Sequence, residues 1–143
     1  MASWVEDVIE ARGHPNVRAL HRTTFEVTRE SHLTPRGDCI IGVRADKAAR
    51  DLNPELRLAL RNPGARVLVI LETPGSRDQV EAWGSEGITA DDDRRIIVRR
   101  SSYVEPATIA VRASKAARHL SRELVSELRQ GTRLTVVVRA QVP

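Results

Sequence analysis

Cysteine and aromatic residues are scarce in this chain of 143 residues, and each scarcity narrows what the protein can be. The single cysteine, Cys39, has no partner for an internal disulfide, so a reducing cytosol is the expected location. Aromatic residues make up 3% of the chain, which is few for a surface that stacks single-stranded bases. The longest apolar run is about five residues, far short of a membrane-spanning helix, so no membrane partner is predicted.

Lysine, asparagine, glutamine and methionine are sparse as well, and arginine is the main cation. The sequence contains 21 arginines and two lysines. This balance is typical of a thermophile, although the base composition of a genome can produce the same excess of arginine. The net charge of +4 and the pI near 10.2 permit an anionic partner without requiring one.

One stretch of the sequence occurs twice. Residues 43–56 and 111–124 are identical at ten of fourteen aligned positions, at a constant offset of 68. In both copies the likeness extends to an apolar run that follows. A self-match at a fixed spacing indicates a duplicated structural unit. The sequence therefore predicts a single domain over residues 1–143, made of two pseudo-equivalent halves at about 1–72 and 78–143.

The first half is predicted to begin with a β-hairpin. Residues 4–9 favour a strand, residues 13–16 have the composition of a turn, and polar and apolar residues alternate over 17–28. This interpretation places His14 at the tip of the hairpin.

The remainder of the first half predicts a strand, a helix and a strand. After a loop over 31–38, residues 39–45 are rich in Ile and Val, as in a buried strand. Asn53 and Pro54 favour a helix start, because Asn caps free N–H groups and Pro suits the first helical position. The apolar run at 67–71 predicts a central strand.

The second half repeats this order. A connector over 73–95 is predicted to contain one short hairpin. Beyond it the pattern predicts strands over 96–100, 108–113 and 134–139, with a largely helical segment over 114–130.

The fold class is therefore α+β, with strand, strand, helix, strand in each half. A duplicated ββαβ unit with pseudo-twofold symmetry resembles small β-barrels of the cradle-loop, double-psi and swapped-hairpin kind. An open duplicated α+β sandwich fits the same pattern nearly as well.

Differences between the copies indicate where chemistry could lie. The polar residues of the first half that lack an equivalent in the second are His21, Glu26, Asp38, Cys39 and Asp46. A shared core explains why the apolar positions agree, but it does not explain this polar set. The set predicts one asymmetric polar site in the N-terminal half, and the alternative is drift on a solvated surface.

The two lysines, Lys47 and Lys115, occupy the same position of the repeat. A chain that otherwise uses arginine could need a compact ammonium there, for example to receive an anionic ligand beside free backbone N–H groups. The alternative is inheritance from the duplication, with the lysine stems packed over the start of each helix.

Candidate catalytic residues are His14, His21, Glu26, Asp38 and Cys39. The histidines would carry protons or bind a ligand, the two carboxylates would orient them, and Cys39 could be a nucleophile with either histidine as its base. The candidate ligand-binding residues are Asn16, Thr24, Asp46, Lys47 and Lys115.

No known metal or phosphate motif supports these assignments. The cluster includes the ligand types that zinc uses, but its irregular spacing does not predict a metal site, and no cofactor follows from the pattern. The chain has no glycine-rich phosphate loop. Arginines are spread through both halves, so binding to RNA or DNA rests on net charge alone.

The motif residues of the first half resemble a known family. The segments are Gly13-His14-Pro15-Asn16, His21-Arg22-Thr23-Thr24-Phe25-Glu26-Val27-Thr28, Gly37-Asp38-Cys39-Ile40-Ile41-Gly42-Val43 and Ala45-Asp46-Lys47-Ala48. They are similar to a family of small archaeal proteins described as a domain of unknown function. The resemblance implies an archaeal cytosolic protein with a single domain, and it brings no activity, substrate or cofactor.

Three functions follow as hypotheses. The first is binding of a small, anionic ligand, or modest acid–base chemistry, at the polar site of the N-terminal half. The second is an RNA- or DNA-binding module, which would bind more weakly as salt rises. The third is a non-catalytic interaction protein, for example a homodimer formed through exposed strand edges.

Overall fold

The computed structural model describes residues 3–143, and it contains eight strands and two α-helices. The α+β class is therefore confirmed. In chain order the elements are β1 (Trp4–Arg12), β2 (Thr24–Thr28), β3 (Ile40–Gly42), α1 (Pro54–Leu60), β4 (Arg66–Glu72), β5 (Arg77–Trp83), β6 (Arg95–Arg99), β7 (Thr108–Ala110), α2 (Arg122–Leu128) and β8 (Arg133–Gln141). Short 3₁₀ turns at Ala49–Asp51 and Ala117–His119 precede the two helices. Neither helix is long and apolar enough to cross a membrane.

The strands form two four-stranded sheets. The long-strand sheet has the order β1-β8-β4-β5, and the short-strand sheet has the order β3-β2-β6-β7. Single antiparallel bridges, Arg12 with Val43 and Trp83 with Val111, join the two edges of one sheet to the two edges of the other. The sheets are thus connected on both sides by isolated bridges, with no continuous ladder between them among the described residues.

The two halves share an element order and a backbone geometry. Each half contains the predicted ββαβ order, preceded by a further strand, so β1 corresponds to β5. Non-glycine residues with positive φ occur at matching places: Ala19 and Ala90 have φ of 52° and 48°, and Arg44 and Arg112 have φ of 54° and 51°. Because both copies adopt this uncommon conformation, it belongs to the shared fold.

The predicted N-terminal hairpin is wrong. β1 pairs along its whole length with β8, and β2 lies in the other sheet, where it pairs with β3 and β6. Residues 17–23 form no strand, although Val17 and Ala19 are completely buried. The alternation in that segment reflects an irregular chain packed on the core, and β1 gains a longer ladder from β8 than a local hairpin could supply.

The hairpin predicted inside the connector is also placed differently. β5 (Arg77–Trp83) pairs with the preceding strand β4 across the turn at residues 73–76, and Ile88 is buried outside any strand. The segment predicted as largely helical over 114–130 contains only a 3₁₀ turn and the seven-residue helix α2.

The helices start where capping residues stand. The Asn53 side chain accepts a hydrogen bond from the Leu56 backbone N–H, and Pro54 occupies the first turn of α1. Ser121 caps α2 in the same way through the Leu124 N–H. Leucines at equivalent positions of both helices are fully buried, and they join one hydrophobic core that draws on both sheets.

Candidate functional site

The two lysines form equivalent internal ion pairs. Lys47 Nζ lies 2.6 Å from Asp7 Oδ1 and 2.9 Å from the Val8 carbonyl oxygen. Lys115 Nζ lies 2.5 Å from Asp78 Oδ1, and Asp78 stands at the position of Asp7 in the second half. Each ammonium therefore fastens a 3₁₀ turn to the first strand of its own half, and this role belongs to the fold.

The two aspartates complete this connection. The second oxygen of Asp7 accepts the Asn53 N–H at 2.9 Å, and that of Asp78 accepts the Ser121 N–H at 2.8 Å. Burial opposes ionisation of both carboxyls, but the hydrogen bonds from lysine and backbone outweigh it and lower the pKa of Asp7 and Asp78.

Asp46 also has a structural partner. Its Oδ1 accepts the Glu10 N–H at 2.9 Å, and the aligned Ser114 hydroxyl accepts the Glu81 N–H at 3.1 Å. The difference between the copies at this position leaves the contact unchanged. Aspartate and serine can each supply the oxygen that the backbone needs.

His14 and Asn16 fix the turn that follows β1. His14 Nδ1 accepts the Asn16 N–H at 3.0 Å, and the Asn16 amide donates to the Leu33 carbonyl oxygen at 2.7 Å. The turn is thereby attached to the loop over 31–38. His14 does not lie at a hairpin tip, because β1 and β2 do not form a hairpin.

His21 closes the turn that enters β2. Its Nδ1 accepts the backbone N–H groups of Thr23 and Thr24, both at 3.2 Å. Because Nδ1 accepts these bonds, the neutral ring carries its proton on Nε2. Asp92 occupies the matching position of the second half, and its carboxylate accepts the N–H groups of Arg94 and Arg95.

Glu26 and Cys39 come together in the short-strand sheet. Glu26 is a buried carboxylate, 7% exposed, paired across the sheet with the apolar Ile97. Cys39 Sγ lies 3.9 Å from Glu26 Oε1. Burial raises the pKa of Glu26, and burial together with the Glu26 charge raises the pKa of Cys39 to about 11. The thiol is therefore protonated at neutral pH, which does not favour a nucleophilic role.

Arginines of the second half neutralise this carboxylate. Arg95 lies 3.8 Å from Glu26, 3.6 Å from Asp92 and 3.5 Å from Glu105. Arg99 lies 3.3 Å from Glu105. The sequence interpretation missed these partners, because it placed Arg95 at the end of the connector and Arg99 in a strand, with no signal that either residue lies beside Glu26.

Asp38 connects this region to a neighbouring surface groove. Its backbone carbonyl oxygen accepts the N–H groups of Leu20 and His21 at 3.1 and 3.2 Å. Its Oδ1 is buried without a hydrogen bond among the described residues and lies 3.6 Å from Arg18 Nη1. Arg18 also donates to the Pro35 carbonyl oxygen at 3.3 Å. This arrangement directs Arg18 along the wall of the groove.

The arginine groove is a cavity of about 760 Å³ between α2 and the segment after β1. It is lined by Pro15, Asn16, Val17, Arg18, Leu20, Pro35, Arg122, Val125, Ser126, Arg129 and Gln130. Three lining residues are arginines, and none of the lining residues within the described chain is acidic. Arg122 is held in place by hydrogen bonds to the carbonyl oxygens of Ala19, Ala117 and Leu120.

The equivalent face of the first helix has a different charge. Glu86 and Asp91 stand where the arginine groove has Pro15 and Leu20. Arg57 occupies the repeat position of Val125. Its guanidinium crosses the space between α1 and the segment after β5 and donates to the carbonyl oxygens of Thr89 and Ala90. The fold is thus compatible with either lining, so the concentration of positive charge at the arginine groove is not a requirement of folding.

The predicted site residues therefore separate into three groups. His21, Thr24, Glu26, Asp38 and Cys39 lie together near the edge of the short-strand sheet, and His14 and Asn16 lie at the turn beside the arginine groove. The third group, Asp46, Lys47 and Lys115, lies along the edges of the long-strand sheet. No group of three or more His, Cys, Asp or Glu side chains in residues 3–143 is arranged to hold a metal ion.

The groove arginines were not singled out by the sequence. Arg18 lies more than 100 residues from Arg122 and Arg129 along the chain, and all three stand among 21 arginines with no shared motif. The repeat alignment offered one signal, since Pro15 and Leu20 replace two acidic residues of the second half.

Comparison with known proteins connects the chain to a family. The sequence model of the family described as domain of unknown function (DUF371) matches residues 9–141. An uncharacterized protein of the archaeon Methanocaldococcus jannaschii is 38% identical over 130 residues, which are 91% of this chain and 96% of that protein. Both matches extend over both halves of the repeat, and neither name gives an activity.

Proposed function

The chain belongs to the family described as domain of unknown function (DUF371), and we propose that it binds a small anionic ligand in the arginine groove. One observation carries the proposal: three arginines line a cavity of about 760 Å³ that has no acidic lining, whereas the equivalent face of the other half carries Glu86 and Asp91. A cavity of this size suits a small organic molecule. The single cysteine supports a cytosolic setting for this binding.

The arginines differ in their freedom to bind. Arg129 has no ion pair or side-chain hydrogen bond with the residues that the structure describes. Arg18 has two long contacts, at 3.3 and 3.6 Å, so its guanidinium has N–H groups left to donate to a ligand while Asp38 keeps its partner. Arg122 donates three hydrogen bonds to carbonyl oxygens, so its side chain is held in place and supplies a fixed positive charge.

The groove also has an apolar part. Val17 and Val125 are buried, and Leu20 is 45% exposed although it is a large apolar side chain. A ligand that combines a phosphate or carboxylate with an apolar or aromatic body would satisfy both parts. We therefore assign an amphipathic anion, with the charged group on Arg18 and Arg129 and the apolar body over the leucine and valines.

The residues predicted from the sequence take supporting roles in this proposal. Asn16 lines the groove, and Asp38 orients Arg18 along its wall. His14 holds the turn that carries Asn16. Acid–base chemistry by His21 or Glu26 is not needed for binding, and Lys47 and Lys115 are occupied by their aspartates.

Isothermal titration calorimetry tests the proposal with inorganic phosphate, phenyl phosphate and benzoate as probes. We expect phenyl phosphate to bind more tightly than inorganic phosphate. Arg129→Ala should weaken that binding roughly 10- to 100-fold, because a hydrogen bond to a charged group contributes about 1.5–3 kcal/mol. Arg18→Ala should act in the same direction.

Arg61→Ala is the matched control, because Arg61 occupies the position of Arg129 at the end of the other helix and is also exposed. It should leave the affinity unchanged. Equal losses in the two variants, or no binding of any probe at millimolar concentration, would refute the groove as the site. Equal affinities for phosphate and phenyl phosphate would refute only the proposed contacts between the ligand's apolar body and the groove.

A further inference from the structure

Most aromatic residues of this protein lie at its surface. Of the four in the chain, only Phe25 is buried, whereas Trp4, Trp83 and Tyr103 are 45%, 37% and 61% exposed. A single exposed aromatic residue needs no explanation, but exposed aromatic residues that share one surface can form a binding face. Both tryptophans belong to the long-strand sheet.

The two tryptophans lie in one row across that sheet. The register pairs Trp4 with Gln141, Gln141 with Arg66, and Arg66 with Trp83. Directly opposed residues of neighbouring strands share a face, so all four side chains point away from the core. The indoles are three strand spacings apart, roughly 14 Å, with Arg66 between them. They also line one shallow depression of about 200 Å³.

Arginines lie beside the tryptophans on this face. Arg66 forms no ion pair with any residue in the range 3–143, and the Arg112 guanidinium lies over the Trp83 ring, 5.4 Å from its centroid. In the next outward-facing row, Arg139 pairs with Glu6 at 3.3 Å. Glu81 is the acidic side chain of the depression itself.

We propose that this face binds a single-stranded nucleic acid, with bases stacked on Trp4 and Trp83 and a backbone phosphate on Arg66. Exposed aromatic rings with interleaved cations are the chemistry that such strands require, since every base has a face to stack and every linkage carries a charge. The aromatic residues are few, but two of them share one surface. The proposal is independent of the arginine groove.

Charge complementarity favours this occupant over an apolar protein surface. A protein that covered the row with apolar side chains would bury the Arg66 guanidinium without a partner, which costs free energy. A phosphate between two stacked bases would neutralise it. The position of Arg66 between the two tryptophans therefore favours a nucleic acid over an apolar partner surface.

Intrinsic fluorescence gives a direct test, because both tryptophans of the chain lie in the proposed site. The probe is oligothymidylate or oligouridylate of about 12 nucleotides, titrated at about 50 mM salt. We expect quenching that saturates, that is stronger with a single strand than with a duplex, and that weakens steeply by about 200 mM salt.

Variants locate the site, and a dye-labelled oligonucleotide reports their affinities by anisotropy. Trp83→Ala and Arg66→Ala should each weaken binding at least about tenfold. Glu81→Gln should strengthen it, because it removes the acidic group of the depression. Tyr103→Ala is the control: this exposed aromatic residue also has an arginine over its ring, Arg99 at 4.9 Å, but lies outside the row.

Absence of quenching and of anisotropy change at low salt would overturn the proposal. Binding that Trp83→Ala leaves intact would move the nucleic acid to another surface and overturn it too. Self-association in sedimentation experiments that Trp83→Ala abolishes, without oligonucleotide binding, would show that the face joins two copies of the chain.

Discussion

At the scale of single residues, the two lysines are a rare residue type in this chain and have a structural role. Their scarcity among 21 arginines suggested an anion site, yet each ammonium is occupied by an aspartate of the same half. The compact ammonium of Lys47 reaches both the Asp7 carboxylate and the Val8 carbonyl oxygen. The lysine thus recurs in the second copy together with the contact that it makes.

Replacement of Asp7 by alanine should destabilise the protein by about 2 kcal/mol at neutral pH. The change removes the partner of Lys47 and leaves the Asn53 N–H without its acceptor. Urea denaturation measures the loss. Asp93→Ala is the control, since its carboxylate is exposed and lies 4.0 Å from Arg50, and it should cost less than about 0.5 kcal/mol.

The ion pair of Asp7 with Lys47 also makes the stability of the fold depend on pH. Asp7 has a lowered pKa in the folded protein, so its contribution to stability is complete above the pKa of the unfolded chain, near 4, and disappears as pH falls through the folded value. The difference between wild type and Asp7→Ala should therefore shrink below pH ~4. A difference that stays constant from neutral to acidic pH would contradict the role of the ionised carboxylate.

Glu26 shows the part of the site that the sequence did indicate. The repeat marked it as a polar residue without an equivalent, and the structure pairs it across the sheet with Ile97 at the matching position of the other half. It is buried and lies beside Cys39, while a functional role for the two residues stays a prediction. Arg95, which neutralises it, could not be found, because the pairing of β2 with β6 joins residues far apart in the chain.

At the scale of elements, two glycines permit the turns that carry the chain from one sheet to the other. Gly13 follows β1, and Gly84 follows β5. A side chain on Gly13 would collide with the Leu128 carbonyl group, and one on Gly84 with the carbonyl oxygens of Leu60 and Asn62. Each turn therefore packs directly on the end of a helix, where only glycine fits.

Gly13→Ala and Gly84→Ala should each cost about 3 kcal/mol or more, because backbone cannot move aside as a flexible side chain can. Thermal unfolding, or the yield of folded protein, measures the effect. Gly87→Ala is the control in a neighbouring turn: its nearest contact would be at 3.9 Å, so its stability should stay close to that of wild type. Tolerance of both Gly13→Ala and Gly84→Ala would show that the turns can open.

Local signals predicted the helices better than the first strands. Asn53 and Pro54 stand at the start of α1 as their capping chemistry requires. The hairpin over residues 4–28 was wrong because alternation describes which side chains are buried and not which strand is the partner. Within residues 17–23, which belong to no strand, Val17 and Ala19 are buried and the other five residues are exposed.

At the scale of the whole molecule, the two halves are interleaved. Each sheet contains two strands from each half, and β8 lies between β1 and β4 of the first half. The long-strand sheet cannot be completed by either half alone, since the neighbour of β1 in that sheet is β8. We therefore propose that residues 1–143 fold as a single cooperative unit.

Separate fragments test that proposal. A cut at the turn between β4 and β5 gives residues 1–74 and 75–143, and each fragment alone should lack the native circular dichroism spectrum because its sheet edges have no partner. Mixing the fragments should restore it. The intact chain refolded under identical conditions is the control, and native-like spectra from the isolated fragments would disprove cooperation between the halves.

The sequence by itself determined the duplication, the α+β class, the helix starts and the asymmetry of polar residues between the copies. These features can be recognised because capping residues, apolar runs and repeated segments are all visible in short stretches of the sequence. Tertiary structure alone decided that β1 pairs with β8, that both lysines are occupied by aspartates, and that Arg18 and Arg129 line one groove. It also placed Trp4 and Trp83 in one row. Such contacts join residues that lie far apart in sequence, and the free energy that selects them comes from burying one shared core.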